Sequence, residues 1–203
     1  GAIDRYRHLH GMKRIRYLKS DFEAPCLPAA CDELSATRLR QYNSEKIIIA
    51  EMTKRLEAIW DDGRIAGAVP TVQLLSGKAG STNLKYELGL INSKLVDWVF
   101  RQYFGSLSLA GGYLRIGVPQ VSQIPMPHCD DSSEDRHQLK ARIVLLVDQM
   151  INLYADLRQP STPHDRDAIK HQIVATDAEI DRLVYQLYGL SDDDVRVVEE
   201  AIT

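Results

Sequence analysis

The chain has 203 residues, of which 44% are hydrophobic and 26% charged, and its formal net charge is −3 at pH 7. This length allows one large or two small domains with a buried core, in a composition that is ordinary for a soluble globular protein. The chain has no apolar run of transmembrane length, no signal peptide and only three cysteines, without metal-ligand spacing; we therefore expect a cytoplasmic protein with no membrane partner, reduced thiols and no zinc site.

The charge is distributed unevenly along the chain. Residues 1–127 carry 17 Lys and Arg against 12 Asp and Glu, whereas residues 128–203 carry 8 against 16. This asymmetry predicts two domains with these bounds and a polyanion partner for the basic one. A chance distribution of solvated surface charge is the alternative. Because the chain begins with Gly1-Ala2 and no methionine, we also expect it to be part of a longer protein.

Residues 2–20 are the most basic stretch. The turn signal His10-Gly11 and the period-two pattern around Arg14 and Arg16 predict two short strands. Arg14 and Arg16 would then share one strand face. Such a cationic surface can meet phosphates, but charge also blunts an ordinary edge strand, and both interpretations stay open.

Residues 21–81 predict a sheet with loops at its margins. A loop with two prolines precedes a short helix that begins near Ser35, and residues 46–50 (KIIIA) predict a buried strand. Lys54 and Arg55 follow that strand, where they could meet a ligand or simply solvent. Another strand is predicted over 70–75, and the loop 76–81 with Lys78 lacks the order of a P-loop.

Residues 83–127 predict a helix, a turn, a short strand and a proline-rich exit. Apolar side chains recur at helical spacing at Leu84, Leu88, Ile91, Leu95, Trp98 and Tyr103. Gly111-Gly112 permits a turn, and residues 113–118 predict a strand that carries Arg115. Asp97 is spaced to pair with Arg101 on the helix, which indicates a structural helix face.

Residues 128–203 predict a polar linker to about 136 and then helices. Two apolar runs, 139–157 and 169–187, step by 4 and 3 residues and predict an antiparallel helical hairpin. Gly189 is a natural helix end, and Ser191 caps a last short helix. We favour packing within the chain for the heptads over a free dimerisation zipper, and a homodimer along the outer helix face stays open.

No catalytic constellation stands out in the sequence. His8 and His10 would share a strand face, but no cysteine or carboxylate completes a metal site. The GxSxG and GxGxxG motifs and the Asn-Pro-Pro-Tyr/Phe tetrapeptide of amino-methyltransferases are missing. We therefore expect no catalytic residue, metal or cofactor in this chain. A nuclease-like carboxylate cluster that is assembled only in space is the alternative.

Six segments, in chain order, carry a resemblance to a known family: AIDRYRHL, MKRIRYLKSDFEAP, KIIIAEMTKRLEAIWDD, LGLINSKLVDWVFRQYF, GGYLRIGVPQVSQIPMP and AEIDRLVYQLYGLSDDDVRVVE. Together they resemble the TaqI-like C-terminal specificity, or target-recognition, domain of type II restriction–modification enzymes that fuse methylase and endonuclease. The most specific pieces are INSKLVDWVF, GGYLRIG with IPMP, and EIDRLVYQLYGL. The last is also similar to the helical spacer ends of type I specificity subunits.

The resemblance implies a fold and a function. The fold would be α+β, a mixed α/β target-recognition domain over 1–127, followed by an antiparallel helical hairpin in 128–203. The partners would be double-stranded DNA and the methylase domain of the same polypeptide. The chain would read and orient DNA without catalysis or a cofactor of its own. Its full-length parent would be an S-adenosylmethionine-dependent DNA adenine methyltransferase, with or without endonuclease activity.

The residues that would touch DNA are predicted from chemistry, because the base that is read varies within such families. Arg115 is a candidate guanine reader, and Gln120 and Gln123 are candidate adenine readers, with loop solvation as the alternative for both glutamines. The complete set of candidate contacts is Arg5, Arg7, Lys13, Arg14, Arg16, Lys46, Lys54, Arg55, Lys78, Arg115, Gln120 and Gln123. The second functional hypothesis is a protein-interaction module in which the helical hairpin binds a partner and the α/β part is a scaffold.

Overall fold

A computed structural model describes residues 2–17, 19–28, 32–67, 71–75, 83–127 and 133–202. In these ranges the strands are β1 (Ile3–Asp4), β2 (Arg7–His8), β3 (Ile15–Tyr17), β4 (Ser20–Phe22), β5 (Lys46–Ala50), β6 (Met52–Thr53), β7 (Ala58–Asp61), β8 (Thr71–Leu75) and β9 (Leu114–Arg115). The helices are α1 (Ala36–Tyr42), α2 (Leu84–Ile91), α3 (Lys94–Phe104), α4 (Val118–Val121), α5 (Glu134–Asp156), α6 (Pro163–Tyr188) and α7 (Asp192–Ile202). The predicted loop at 76–81, with Lys78, and residues 128–132 of the predicted linker lie outside these ranges. In the described part, no helix is long and apolar enough to cross a membrane.

The main sheet is built around β5, at the predicted position. β5 pairs antiparallel with β7 on one side and β8 on the other, so that Ile48 lies opposite both Ile59 and Gln73. Every residue of β5 is buried, because a central strand of β-branched residues is covered on both faces. The helix predicted from Ser35 is α1, and the Ser35 hydroxyl accepts a hydrogen bond from the Arg38 amide at 3.3 Å.

The helix predicted over 84–103 is interrupted, and the prediction of one continuous helix is wrong at Asn92-Ser93. α2 ends at Ile91, and the Ser93 hydroxyl accepts a hydrogen bond from the Val96 amide to begin α3. The Asn92 side chain accepts from the Ala58 amide and donates to the Ala58 carbonyl, each at 3.0 Å. These two bonds resemble the backbone hydrogen bonds between paired strands, and they hold the junction between α2 and α3 against β7.

The predicted helical hairpin is present as α5 and α6. Heptad residues such as Ile143, Met150 and Ile180 are buried, and α6 ends at Gly189, which has the left-handed φ of 70°. Helix α2 packs on this hairpin at Gly89, where a Cβ atom would come within 2.7 Å of Ile143 Cγ2. A glycine is needed there for the close approach of the helices.

One apolar cluster joins the sheet, α2, α3 and the hairpin. The chain is therefore a mixed α+β protein with carboxy-terminal helices, as predicted. The division into domains at residues 127 and 128 stays a prediction.

The amino-terminal stretch forms two small ribbons rather than one hairpin around His10-Gly11. β1 pairs with β2 and β3 pairs with β4. The first turn is made possible by Tyr6, which adopts a φ of 63° and donates its amide to the Ala58 carbonyl at 2.9 Å. This bond attaches the first ribbon to the edge of the main sheet beside Asn92.

The strand predicted over 113–118 is shorter than expected. Only Leu114 and Arg115 pair in a ladder, and residues 118–121 form the helix α4. Gly117 precedes this helix and Pro119 lies in its first turn, where a fixed φ and a missing amide proton are tolerated. The Gln120 side chain also accepts the Gly117 amide at 3.1 Å, which favours a helix over a continued strand.

Candidate nucleic-acid interface

A two-stranded ribbon, β6 with β9, presents alternating side chains to solvent. Met52 lies opposite Arg115, and Thr53 lies opposite Leu114. Thr53 and Leu114 are buried, whereas Met52 and Arg115 are exposed, because successive side chains of a strand point to opposite faces.

The alternation continues by one residue on each strand of this ribbon. Lys54 and Tyr113 are exposed, and the Lys54 ammonium lies 5.8 Å from the centre of the Tyr113 ring. Met52, Lys54, Tyr113 and Arg115 together make one outward surface, which we call the reading face.

A tight turn prolongs the reading face beyond β9. The Leu109 amide donates to the Tyr113 carbonyl at 2.7 Å, and the Gly112 amide donates to the Leu109 carbonyl at 3.1 Å. Gly111 and Gly112 have φ values of +82° and +75°, which residues with a side chain rarely adopt. The predicted double-glycine turn is confirmed, and it holds Leu109, which is 41% exposed, next to Tyr113.

Helix α3 supports the reading face from behind. Asp97 accepts the Leu56 amide at 2.7 Å and the Arg101 side chain at 2.9 Å, and Arg101 donates to the Lys54 carbonyl at 2.6 Å. The Thr53 hydroxyl donates to the Arg55 carbonyl and closes the turn. The structural Asp97–Arg101 pair was predicted from its spacing, but its attachment to the backbone that carries Lys54 was not.

Six of the predicted DNA contacts are exposed cations: Lys13, Arg14, Arg16, Lys54, Arg55 and Arg115. Arg14 lies 3.3 Å from Glu23, and Arg55 lies 3.8 Å from Asp4 and 4.0 Å from Glu57. In the described ranges, neither Lys54 nor Arg115 has an ion-pair partner. Both side chains are exposed, and both lie on the reading face.

Arg5 points into the protein, away from solvent. Its guanidinium makes two hydrogen bonds to the Asp177 carboxylate, at 2.6 and 2.8 Å, from the turn between β1 and β2 to helix α6. Burial opposes the charge, but Tyr6, Asp177 and Asp181 outweigh it and raise the pKa of Arg5. The structure gives this side chain a role in joining the amino-terminal ribbon to α6, which corrects its placement among surface contacts.

Asp181 lies on α6 near the same charges. One of its carboxyl oxygens accepts the Lys94 amide at 2.9 Å, and the other is buried without a hydrogen-bond partner in the described part of the chain. Burial raises the pKa of Asp181 to about 6, in spite of the bond from the Lys94 amide. This carboxyl group is costly to ionise in the folded protein.

Lys46 is also an internal residue, with 0% of its side chain exposed. Its ammonium donates to the Asp61 carboxylate and to the carbonyls of Tyr42 and Ser44. All three protons of this ammonium are thereby used. Lys46 fastens the start of β5 to the end of β7 and has no surface left for a phosphate in this structure, which corrects its place among the predicted contacts.

Arg7, Gln120 and Gln123 make local contacts. Arg7 donates to Asp4 at 2.7 and 3.0 Å and lies 4.8 Å above the Tyr154 ring. The Gln120 oxygen accepts the Gly117 amide, and the Gln123 nitrogen donates to the Pro119 carbonyl at 2.8 Å. The adenine-reading role of the two glutamines stays a prediction, and both amides would have to leave these bonds to meet a base.

The sequence prediction missed the apolar part of the reading face. Met52 is 51% exposed and Tyr113 is 42% exposed. The available signal was the short alternation Met-Thr-Lys after the buried strand β5. In the described residues, no group of three or more His, Cys, Asp or Glu side chains could hold a metal ion.

The chain matches the model of a known protein family. The family model of the TaqI-like C-terminal specificity domain covers residues 3–126, which is more than half of the 203 residues. The match includes both strands of the reading face and ends before α5. No curated protein matches the chain.

Proposed function

The chain belongs to the TaqI-like C-terminal specificity domain family, whose role is DNA target recognition in restriction–modification, and we propose that its reading face contacts the bases of a specific duplex sequence. A specificity domain is not itself catalytic. The observation that carries the proposal is that Lys54 and Arg115, two exposed cations without an ion-pair partner in the described ranges, lie on the same face of one two-stranded ribbon.

The shape of the reading face suits the major groove of DNA. That groove is about 12 Å wide and admits a two-stranded β-ribbon. An arginine can donate two hydrogen bonds to the O6 and N7 atoms of guanine, and Arg115 projects outward without a competing carboxylate in the described ranges. We assign Arg115 to a guanine and Lys54 to a neighbouring phosphate.

The carboxy-terminal helices have a separate role in this proposal. The family implies association with a catalytic domain, and we propose that α5, α6 and α7 orient a methylase domain of the same polypeptide. The parent enzyme would be an S-adenosylmethionine-dependent DNA adenine methyltransferase, with or without endonuclease activity. The heptad residues of α5 and α6 are largely buried inside this chain, as packing within the chain requires, and a homodimer along the outer helix face stays a prediction.

The proposal is tested by DNA binding in a salt series, with the chain alone and joined to its methylase domain. We expect selection of one duplex sequence from a random pool and affinity that falls steeply from 50 to 200 mM salt. Arg115→Ala should weaken that selected complex by about 1–3 kcal/mol and relax the preference at one base pair.

The matched control is Arg196→Ala, which removes an exposed arginine from α7. It should leave both the affinity and the base preference unchanged. Salt-independent binding, or equal effects of the two arginine variants, would contradict the assignment of the reading face.

A further inference from the structure

The reading face carries two exposed cations, Lys54 and Arg115, and two exposed side chains that are largely apolar, Met52 and Tyr113. Met52 lies directly opposite Arg115, and Tyr113 lies against Lys54. Leu109 extends the apolar part at the glycine turn. A surface that bound only phosphates would need cations and hydrogen-bond donors alone, so the apolar members require a different explanation.

We infer that Met52 reads the 5-methyl group of a thymine that neighbours the base contacted by Arg115, an inference that rests on the proposed function. Each base pair shows a distinct pattern in the major groove, and the thymine methyl is its apolar element. Cations and apolar side chains side by side match a groove edge in which a guanine is next to a thymine.

The geometry of the ribbon fits this spacing. Side chains directly opposite each other in an antiparallel pair have Cβ atoms about 4.5–5.5 Å apart, and successive bases of one strand are separated by about 3.4 Å along the helix axis. Met52 and Arg115 can therefore address neighbouring bases without moving the backbone. The unbranched methionine side chain adapts well to a small apolar group.

Hydrogen bonds hold the backbone next to Met52. The next residue, Thr53, is buried and closes the turn through its hydroxyl, and the following backbone is held by Arg101. The backbone that directly follows Met52 is thus held by two hydrogen bonds. A supported backbone presents the Met52 side chain at one position of the ribbon, and contact with a thymine methyl there buries apolar area that a hydrogen would not provide.

The test compares two versions of the duplex selected by the chain from a random pool. The second version carries deoxyuridine in place of every thymine, which removes the methyl groups and leaves base pairing unchanged. We expect the full chain to bind the deoxyuridine duplex roughly fourfold more weakly for each methyl that is buried. Met52→Ala should bind the two duplexes equally, and Met52→Leu should keep a preference for thymine.

The matched control is Met12→Ala, because Met12 is 56% exposed and lies outside the reading face. It should keep the full preference for thymine. Equal binding of the two duplexes by the unchanged chain, a preserved preference in Met52→Ala, or a selected sequence without a thymine beside a guanine would overturn the inference while leaving DNA recognition intact. Absence of salt-dependent binding to any duplex would overturn the proposed function as well.

Discussion

Two of the ribbons that carry arginines, β1–β2 and β6–β9, use their cations in opposite ways. In the amino-terminal ribbon, Arg5 binds Asp177 and Arg7 binds Asp4, so both charges are compensated inside the chain. In the β6–β9 ribbon, Arg115 faces solvent with no ion pair in the described part. The nearby carboxylates, rather than the number of cations, decide which ribbon can meet a polyanion.

The amino-terminal ribbon serves as a fastening between the α/β part and the helical hairpin. Arg7 lies over the Tyr154 ring of α5, and Arg158 at the end of that helix donates to the His8 carbonyl at 2.8 Å. With the Arg5–Asp177 pair, these contacts reach both helices of the hairpin. We therefore expect changes in this ribbon to affect stability, and changes in the reading face to affect DNA binding.

The largest expected effect is a difference in unfolding free energy between variants of two lysines, Lys46 and Lys54, that are only eight positions apart. Lys46→Met leaves the Asp61 carboxylate buried without its cation, and loss of one partner from a buried pair costs about 3–5 kcal/mol of unfolding free energy. Lys54→Met removes an exposed charge and should change the unfolding free energy by no more than about 0.5 kcal/mol. Urea unfolding of both variants measures the difference.

A double variant serves as the control for Lys46. Asp61→Asn added to Lys46→Met removes the unpaired charge, keeps an oxygen for the Arg64 and Ile65 amides, and should recover part of the lost stability. Equal stability of Lys46→Met and Lys54→Met would contradict the assignment of Lys46 to a buried ion pair and of Lys54 to the surface.

Much of the fold was predictable because its signals are local. The β-branched run KIIIA gave β5, the heptad steps gave α5 and α6, and Ser35, Gly189 and Ser191 marked helix ends. The break at Asn92-Ser93 was missed because the apolar spacing continues across it. Ser93 is a favourable cap residue, but only the bond of Asn92 to β7 decides that the helix stops there.

The site was harder to predict, since burial of a charge depends on partners that are distant in sequence. Arg5 is internal because Asp177 reaches it from 172 residues away. The pairing of Met52 with Arg115 joins segments about sixty residues apart. Composition could identify a basic half of the chain, but it could not show which of its cations form ion pairs with carboxylates of the same chain.

The buried carboxyl group of Asp181 should make the stability of the folded chain depend on pH. Because the pKa of Asp181 is about 6 in the folded protein and 3.8 is its ordinary value, the folded state binds more protons than the unfolded state between pH 4 and pH 6. The contribution of this group to stability is therefore present below about pH 4 and is lost as the pH rises to about 6. The loss amounts to about 3 kcal/mol.

Unfolding curves of the chain and of Asp181→Asn from pH 4 to pH 7 measure this contribution. The variant keeps an oxygen for the Lys94 amide but does not titrate, so its advantage over the unchanged chain should grow as the pH rises. Asp167→Asn, an exposed change on the same helix, should show no such trend. A constant difference between Asp181→Asn and the unchanged chain would contradict the burial of an ionisable carboxyl beside the amino-terminal ribbon.

The smallest expected effect tests whether Lys54 of the reading face touches a phosphate. Lys54→Gln removes the charge and keeps a polar side chain that is one bond shorter, so one fewer counterion is released on binding and the slope of log affinity against log salt should fall by about 1. The preference among sequences should stay unchanged, because a phosphate contact carries no base information. Lys170→Gln, which neutralises an exposed lysine of α6, should leave the slope as it is. A changed base preference in Lys54→Gln would instead place this lysine on a base edge and make both cations of the ribbon readers of sequence.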